Sequence, residues 1–148
     1  MKISLIKTDD TLALRRTQLY AEDGRGDVSY PGDADSRTLH VGTFIGASLV
    51  GVASFIPQDL PSKTGGFRIR GVVVLPAVNR QGVGRNMVQF GIDEVQKQGG
   101  SYVWCNAREA SLPFFERLGF VSISDLFDLE ATGLHRRMVK RLTQEAAR

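Results

Sequence analysis

The stretch with the clearest chemical potential is Arg80-Gln81-Gly82-Val83-Gly84-Arg85, which follows the apolar run Gly71-Val72-Val73-Val74-Leu75-Pro76. Proline has no N–H for a central ladder, so a strand is expected to stop at Pro76 and a helix to begin near Gly82. The first amides of a helix have no partner inside it and carry partial positive charge. Gly82 and Gly84 leave the approach to those amides open, and Arg80 and Arg85 flank them with formal charge. Such a turn suits a pyrophosphate. It is not a dinucleotide fingerprint, because G-x-G-x-x-G requires glycine where Met87 stands, and no G-x-x-x-x-G-K-[ST] occurs anywhere. Taken alone, Gly-x-Gly is equally a strand-helix turn that needs glycine for its geometry.

Other residues carry reactive groups. Cys105, the single cysteine, reads either as a nucleophile with a histidine as its base or as a small buried residue at a strand end. His135 reads either as a general base for an ammonium acceptor, with a reference pKa of about 6.5, or as a solvated strand histidine. His40, among apolar neighbours, reads as structural. Glu22, Asp23, Asp27, Asp33 and Asp35 read either as an acidic stretch that would draw a cationic acceptor or relay protons through water, or as a solvated loop. Arg15, Arg16, Arg25 and Arg37 lie in the same region and would favour an acidic one, so charge there does not choose the acceptor.

The elements that must position these groups follow from periodicity. Residues 2–7 read as a strand and 9–22 as a helix, with Asp9 or Asp10 capping its start. Residues 23–37 are rich in glycine, proline and acids and read as a loop. Strands are expected at 38–45 and 48–56 around a Gly46-Ala47 hairpin, and at 67–75. The unbroken apolar end of the third strand predicts cover on both faces. The following helix runs to Gln98, with Val88, Ile92 and Val95 on one buried stripe, and Gly91 allowing close packing on the sheet. A short strand at 101–105 precedes a helix with Ser111 as cap and Pro113 in its first turn. Strands at 120–129 and 134–142 around Thr132-Gly133 close the chain before a polar tail at 143–148.

This order predicts an α+β chain in an α/β three-layer arrangement: a mixed, mostly antiparallel central sheet with one parallel crossover and flanking helices. Residues 1–148 read as a single domain. The apolar share of 42% and charged share of 24% exclude a disordered chain. No apolar run approaches the roughly 20 residues of a membrane span, and Lys7 interrupts any leader-like start. With one cysteine and no such segment, a cytoplasmic protein without a membrane partner is expected. The net charge of +3 suits a small anionic ligand. No basic stripe with interleaved aromatics suggests nucleic acid.

The stretch Asn79-Arg80-Gln81-Gly82-Val83-Gly84 after Val74-Leu75-Pro76 resembles motif A of the GNAT superfamily of N-acetyltransferases. Phe114-Phe115-Glu116-Arg117-Leu118-Gly119-Phe120 and His135-Arg136-Arg137-Met138-Val139-Lys140 resemble later segments of that family, and the similarity spans residues 2–142. The resemblance implies direct acetyl transfer from acetyl-coenzyme A to an amine, either a small molecule or a peptide N-terminus, with no metal, and a possible homodimer. It implies that main-chain groups of Val72, Val73 and Val74 hold the pantetheine arm. It also implies that amides of Arg80, Gln81, Gly82, Val83, Gly84 and Arg85, with Asn79 beside them, hold the pyrophosphate, and that Asn106 meets the cofactor's amide arm. Two positions depart from the pattern: Asn79 stands for the usual Gln or Arg, and Phe115 for a tyrosine often assigned as the acid that protonates the leaving thiolate. Phenylalanine has no proton to give; a thiol with a pKa near 8.5 can depart as thiolate. The same departure motivates an alternative, a catalytically silent sensor domain that binds acyl-coenzyme A.

Overall fold

Alternating residues of the first strand, β1 (Lys2–Ile6), pair antiparallel with β2 (Leu39–Ile45), which continues through a tight turn at Gly46 into β3 (Ser48–Pro57). β3 pairs antiparallel with β4 (Gly66–Val74). A 3₁₀ turn (Pro76–Gln81) and helix α2 (Val83–Lys97) then carry the chain to β5 (Tyr102–Arg108), which lies parallel to β4. Ahead of β2, helix α1 (Thr8–Leu14) passes into a wider π turn (Arg15–Leu19). After β5 come α3 (Leu112–Arg117), two short strands, β6 (Val121–Ser122) and β7 (Phe127–Leu129), and β8 (Gly133–Arg141). The sheet order is β1-β2-β3-β4-β5-β8-β6, with β7 also on β8. The mixed sheet with one parallel pair is the architecture expected from the element order.

This computed structural model describes residues 1–20, 26–129 and 133–143, with the side chains of Arg80 and Gln81 excepted. The expected end of the first helix at 21–22, Glu22, Asp23, Arg25, Thr132 and most of the polar tail lie outside the described residues. Among the described residues no helix is long and apolar enough to cross a membrane.

The period of two along each strand divides the sheet into two chemically distinct faces. One face sends Val41, Ala53, Phe55, Phe67, Ile69, Val103 and Met138 into the main core, where Met87, Val88, Ile92 and Val95 of α2 and Phe115 of α3 meet them. The predicted stripe of α2 is therefore the buried one. Gly91 lets that helix sit directly on the sheet, because a Cβ there would lie 2.0 Å from the ring of Phe55. The opposite face carries α1 against β2 and β3 at one end and a second buried cluster, Leu60, Tyr102, Trp104 and Val139, at the other.

Four expectations need correction. The strand expected over 120–129 is broken, because Ser124 Oγ takes the backbone N–H of Arg137 and its carbonyl takes Arg136 Nη1, which interrupts the ladder. β5 runs to Arg108 and not to Cys105, because β8 pairs with it along its whole length and Ala107 turns into the core. Ser111 makes no capping hydrogen bond at α3. α1 starts one residue earlier than expected, with Lys7 and not Asp9 or Asp10 at the N-cap; both acids lie in the first turn, and Asp10 accepts the N–H of Lys7 at 3.1 Å.

Candidate functional site

β4 and β5 pair only at Gly66–Tyr102, Phe67–Val103 and Arg68–Trp104. Beyond those residues the two strands diverge, and each follows its other neighbour. The divergence has a local cause. Between Val73 and Arg70, β4 carries one more residue than the β3 segment opposite, Val52 to Ser54. The extra residue is accommodated at Gly71, whose φ of +62° lies in the left-handed region. A Cβ on Gly71 would also sit 2.9 Å from the ring of Tyr30, so the site demands glycine twice over.

The splay leaves one edge of β4 without a strand partner. Leu75 donates to Val50 on β3 at 2.9 Å. By alternation, the peptide groups of Val74 and Val72 point the opposite way, to the open edge. That edge runs straight toward the start of α2. Gly82, with φ of +74°, is the N-cap residue, and the helix has neither a side-chain cap nor an acid in its first turn. Among the described residues no side chain caps its first amides.

Two lobes occupy the cleft. One, of about 450 Å³, is lined by Val72, Val73, Val74, Asn79, Gly84 and Phe114 among others. The second, of about 370 Å³, is lined by Tyr20, Tyr30, Arg68, Arg70, Asn106, Arg108 and His135 among others. Leu19, Val72, Ser111 and Phe115 line both, so the lobes meet at the bulge. A larger depression of about 680 Å³, between Leu60, Gly119, Val121 and Val139, includes no residue of β4 and lies away from the open edge.

The structure brings most of the expected residues together, in two groups. Val72, Val73, Val74, Asn79 and Gly84 border the first lobe; Gly82 and Val83 stand at the helix start, where the Val83 side chain is buried in the fold, and Arg85 is exposed beside them. Asn106 lies in the second lobe, where its Oδ1 accepts from Arg137 Nε at 3.1 Å. It does not border the lobe of the glycine turn. His135 also borders the second lobe and is buried. Its Nδ1–H donates to the carbonyl of Gly133 at 2.7 Å, which leaves the Nε2 lone pair available, and the ring stacks on Phe127. Cys105 packs into the main core, and burial pushes its thiol up to about 12, with Arg68 pulling weakly the other way. At neutral pH it holds its proton and is a poor nucleophile.

Two of the charges near α1 are tied up in the interior. Arg15 is fully buried and forms a bidentate pair with Asp33, at 2.7 and 2.9 Å, plus a bond to Ser54. Burial works to raise the pKa of Asp33, but the hydrogen bonds from Arg15 and the Tyr30 amide hold it below the usual carboxylate range. His40 bridges Ser54, Thr8 and the Asp33 carbonyl, a structural role. Asp27 binds Ser29 and Arg37 meets Asp35 at 3.8 Å. Of the described acids in this stretch, Asp33 forms an internal brace, while Asp27 and Asp35 are exposed on the loop.

Sequence reasoning missed Ser111, Arg68, Arg70, Arg108 and Tyr30 as cleft residues. For the arginines a signal existed: Arg68 and Arg70 alternate with core residues Phe67 and Ile69, which puts both on one face next to the bulge. Tyr30 comes from a loop and had none. Among the described residues no group of acids, histidines and cysteine could hold a metal ion.

Residues 8–120 match the model of the Acetyltransferase (GNAT) family. The chain is 27% identical over 144 residues to the uncharacterized N-acetyltransferase YitI of Bacillus subtilis (strain 168), covering 96% of this chain and 97% of that one. The fold is similar to that of Escherichia coli ElaA, with a TM-score of 0.78 at 15% identity over 95% of this chain and 99% of that one. It is also similar to an aminoglycoside 6'-N-acetyltransferase complexed with coenzyme A, with a TM-score of 0.76 at 19% identity over 95% and 97% of the two chains.

Proposed function

Because the chain belongs to the GNAT acetyltransferase family, we propose that it moves an acetyl group directly from acetyl-coenzyme A to an amine acceptor. The observation that carries this reading is the open edge of β4 leading into an uncapped helix start. An extended amide-bearing arm ending in a pyrophosphate has that same sequence of needs: strand-like hydrogen bonds, then oriented amides with partial positive charge. Acetyl-coenzyme A would supply the activated acetyl thioester.

The remaining work falls to the chain. Peptide groups of Val72 and Val74 would bind the arm along the first lobe. The first-turn amides at Val83, Gly84 and Arg85 would bind the pyrophosphate, with Asn79 beside them. A backbone N–H at the bulge would donate to the thioester carbonyl oxygen at the junction; such a donor is worth about 3–4 kcal/mol in other enzymes. The acceptor would enter by the second lobe. There His135 Nε2 would take a proton from the amine, directly or through water. Phe115 at the junction gives no proton, while Ser111 borders both lobes and its hydroxyl would donate to a departing thiolate. Cys105, held as a thiol in the core, takes no covalent role.

The test is calorimetric titration with acetyl-coenzyme A, together with thiol release over a panel of amines. Binding with acceptor-dependent release is the expected result. His135→Ala should then lower kcat by about 10²–10⁴-fold with the acetyl-coenzyme A affinity unchanged. Absence of acetyl-coenzyme A binding would overturn the reading.

A further inference from the structure

We propose that the second lobe recognises an anionic group, a carboxylate or a phosphate, carried by the amine acceptor, and that Arg68, Arg70 and Arg108 hold it. The inference rests on the reading above that the acceptor enters by this lobe. Arg68 and Arg70 project from β4 on the face away from the main core. Arg108 stands on the facing wall, β5, directly opposite His135 in the register. Arg137 lies two residues further along β8, opposite Asn106. The described lining of the lobe includes no aspartate and no glutamate.

None of these arginines meets a carboxylate among the described residues. Three of them rest on neutral rings instead. The guanidinium of Arg70 lies 4.1 Å from the centre of the Tyr30 ring, and those of Arg68 and Arg137 lie 5.1 and 4.9 Å from Trp104. Arg15 shows the contrast within the same chain: it is buried and is neutralised by Asp33. Arg68 Nε is buried and has no hydrogen-bond partner among the described residues. Burial, then the charges of Arg70 and Arg137, lower the pKa of Arg68 to about 10. The lobe is thus a set of oriented donors with an excess of positive charge, which an oxyanion would relieve. The His135 base sits across the register from Arg108, so one small molecule can present its anion to the arginines and its amine toward the junction. A polycationic aminoglycoside would meet like charge on both walls.

The experiment compares N-acetylglycine with N-acetylglycinamide, and N-acetyl phosphoethanolamine with N-acetylethanolamine, as binding probes at matched ionic strength. Each pair differs in the anion alone. Ligand-observed NMR would read affinity without requiring turnover, and a separate calorimetric titration with acetyl-coenzyme A would report on the reaction class. Tighter binding of either anionic probe supports the inference, and the preferred pair names the carboxylate or the phosphate. Arg70→Gln and the exposed Arg108→Gln should each weaken that probe by about 10- to 100-fold, with Arg70→Lys retaining some of the affinity and acetyl-coenzyme A binding unchanged in all three. Equal binding within both pairs, binding of no probe, or unchanged affinity in both glutamine variants overturns it even where acetyl-coenzyme A binds normally.

Discussion

Replacing Gly84 by aspartate separates stability from cofactor binding, because the two effects have opposite signs. Gly84 is the second residue of α2, and a Cβ there would meet Phe114 at 3.4 Å and Val74 at 3.5 Å, both ordinary contacts. Removing a helical glycine and placing an acid in the first turn together stabilise a helix by about 0.5–1 kcal/mol. At this chain length that is a rise of roughly 1–4 °C in Tm. The same carboxylate would stand in the lobe where the pyrophosphate is proposed to bind. A like-charge pair about 5 Å apart costs about 3 kcal/mol at an effective dielectric constant of 20, so acetyl-coenzyme A binding should weaken by about 100-fold or more. Gly84→Asn fills nearly the same volume without charge and should lose far less. Thermal unfolding followed by circular dichroism gives the first quantity, and calorimetric titration gives the second. A Gly84→Asp protein that melts normally and binds within threefold of the parent would refute the cradle, and equal losses for Asp and Asn would refute its electrostatic basis.

The brace and the core yield further predictions. Asp33→Asn leaves the fully buried Arg15 without its carboxylate and should cost about 3–5 kcal/mol in urea unfolding; a change below 1 kcal/mol would mean that the pair is not buried as described. Gly91→Ala should destabilise by about 1–3 kcal/mol despite the better helix former, since its methyl would overlap the buried Phe55 ring. A stabilised variant would contradict the close packing of α2. Cys105→Ala should keep kcat within a few-fold of the parent, and a loss of several orders of magnitude would revive a covalent role. The thiol is raised from 9.0 to about 12 in the fold, so its stabilising contribution is complete below pH 9 and is lost as pH rises from about 9 to 12. The fall in parent stability over that range should exceed the fall in Cys105→Ala.

The first lobe was legible in the sequence because it is local. Val72 to Val74, Pro76 and the glycine turn adjoin one another, and each piece of the motif states its own backbone requirement. The parallel crossover followed from the same segment. The second lobe was not legible, because it assembles one face of β4, β5 and β8 with a loop, and its register depends on pairings that no local pattern encodes. Ser124 is an example: its side chain occupies a ladder position of β8, so a smoothly alternating segment splits into β6 and β7. Arg15 is another. On the sequence it is one more cation beside a mixed-charge loop, and only the packing of α1 on Ser54 and Asp33 shows it to be internal.

The extra residue at Gly71 does more than separate a pair of strands. It shifts the phase of β4, so side chains face the cleft before the bulge and peptide groups face it after. Upstream, positions 68 and 70 meet the cleft through their side chains. Downstream, the proposed cofactor contacts are made by groups that every residue type shares. On the proposed assignment of the two lobes, acceptor preference would drift by single substitutions before the bulge while the donor half stayed intact, and Gly71 is the position whose φ and contact with Tyr30 demand glycine. A single inserted residue makes one strand a fixed socket at one end and an interchangeable one at the other.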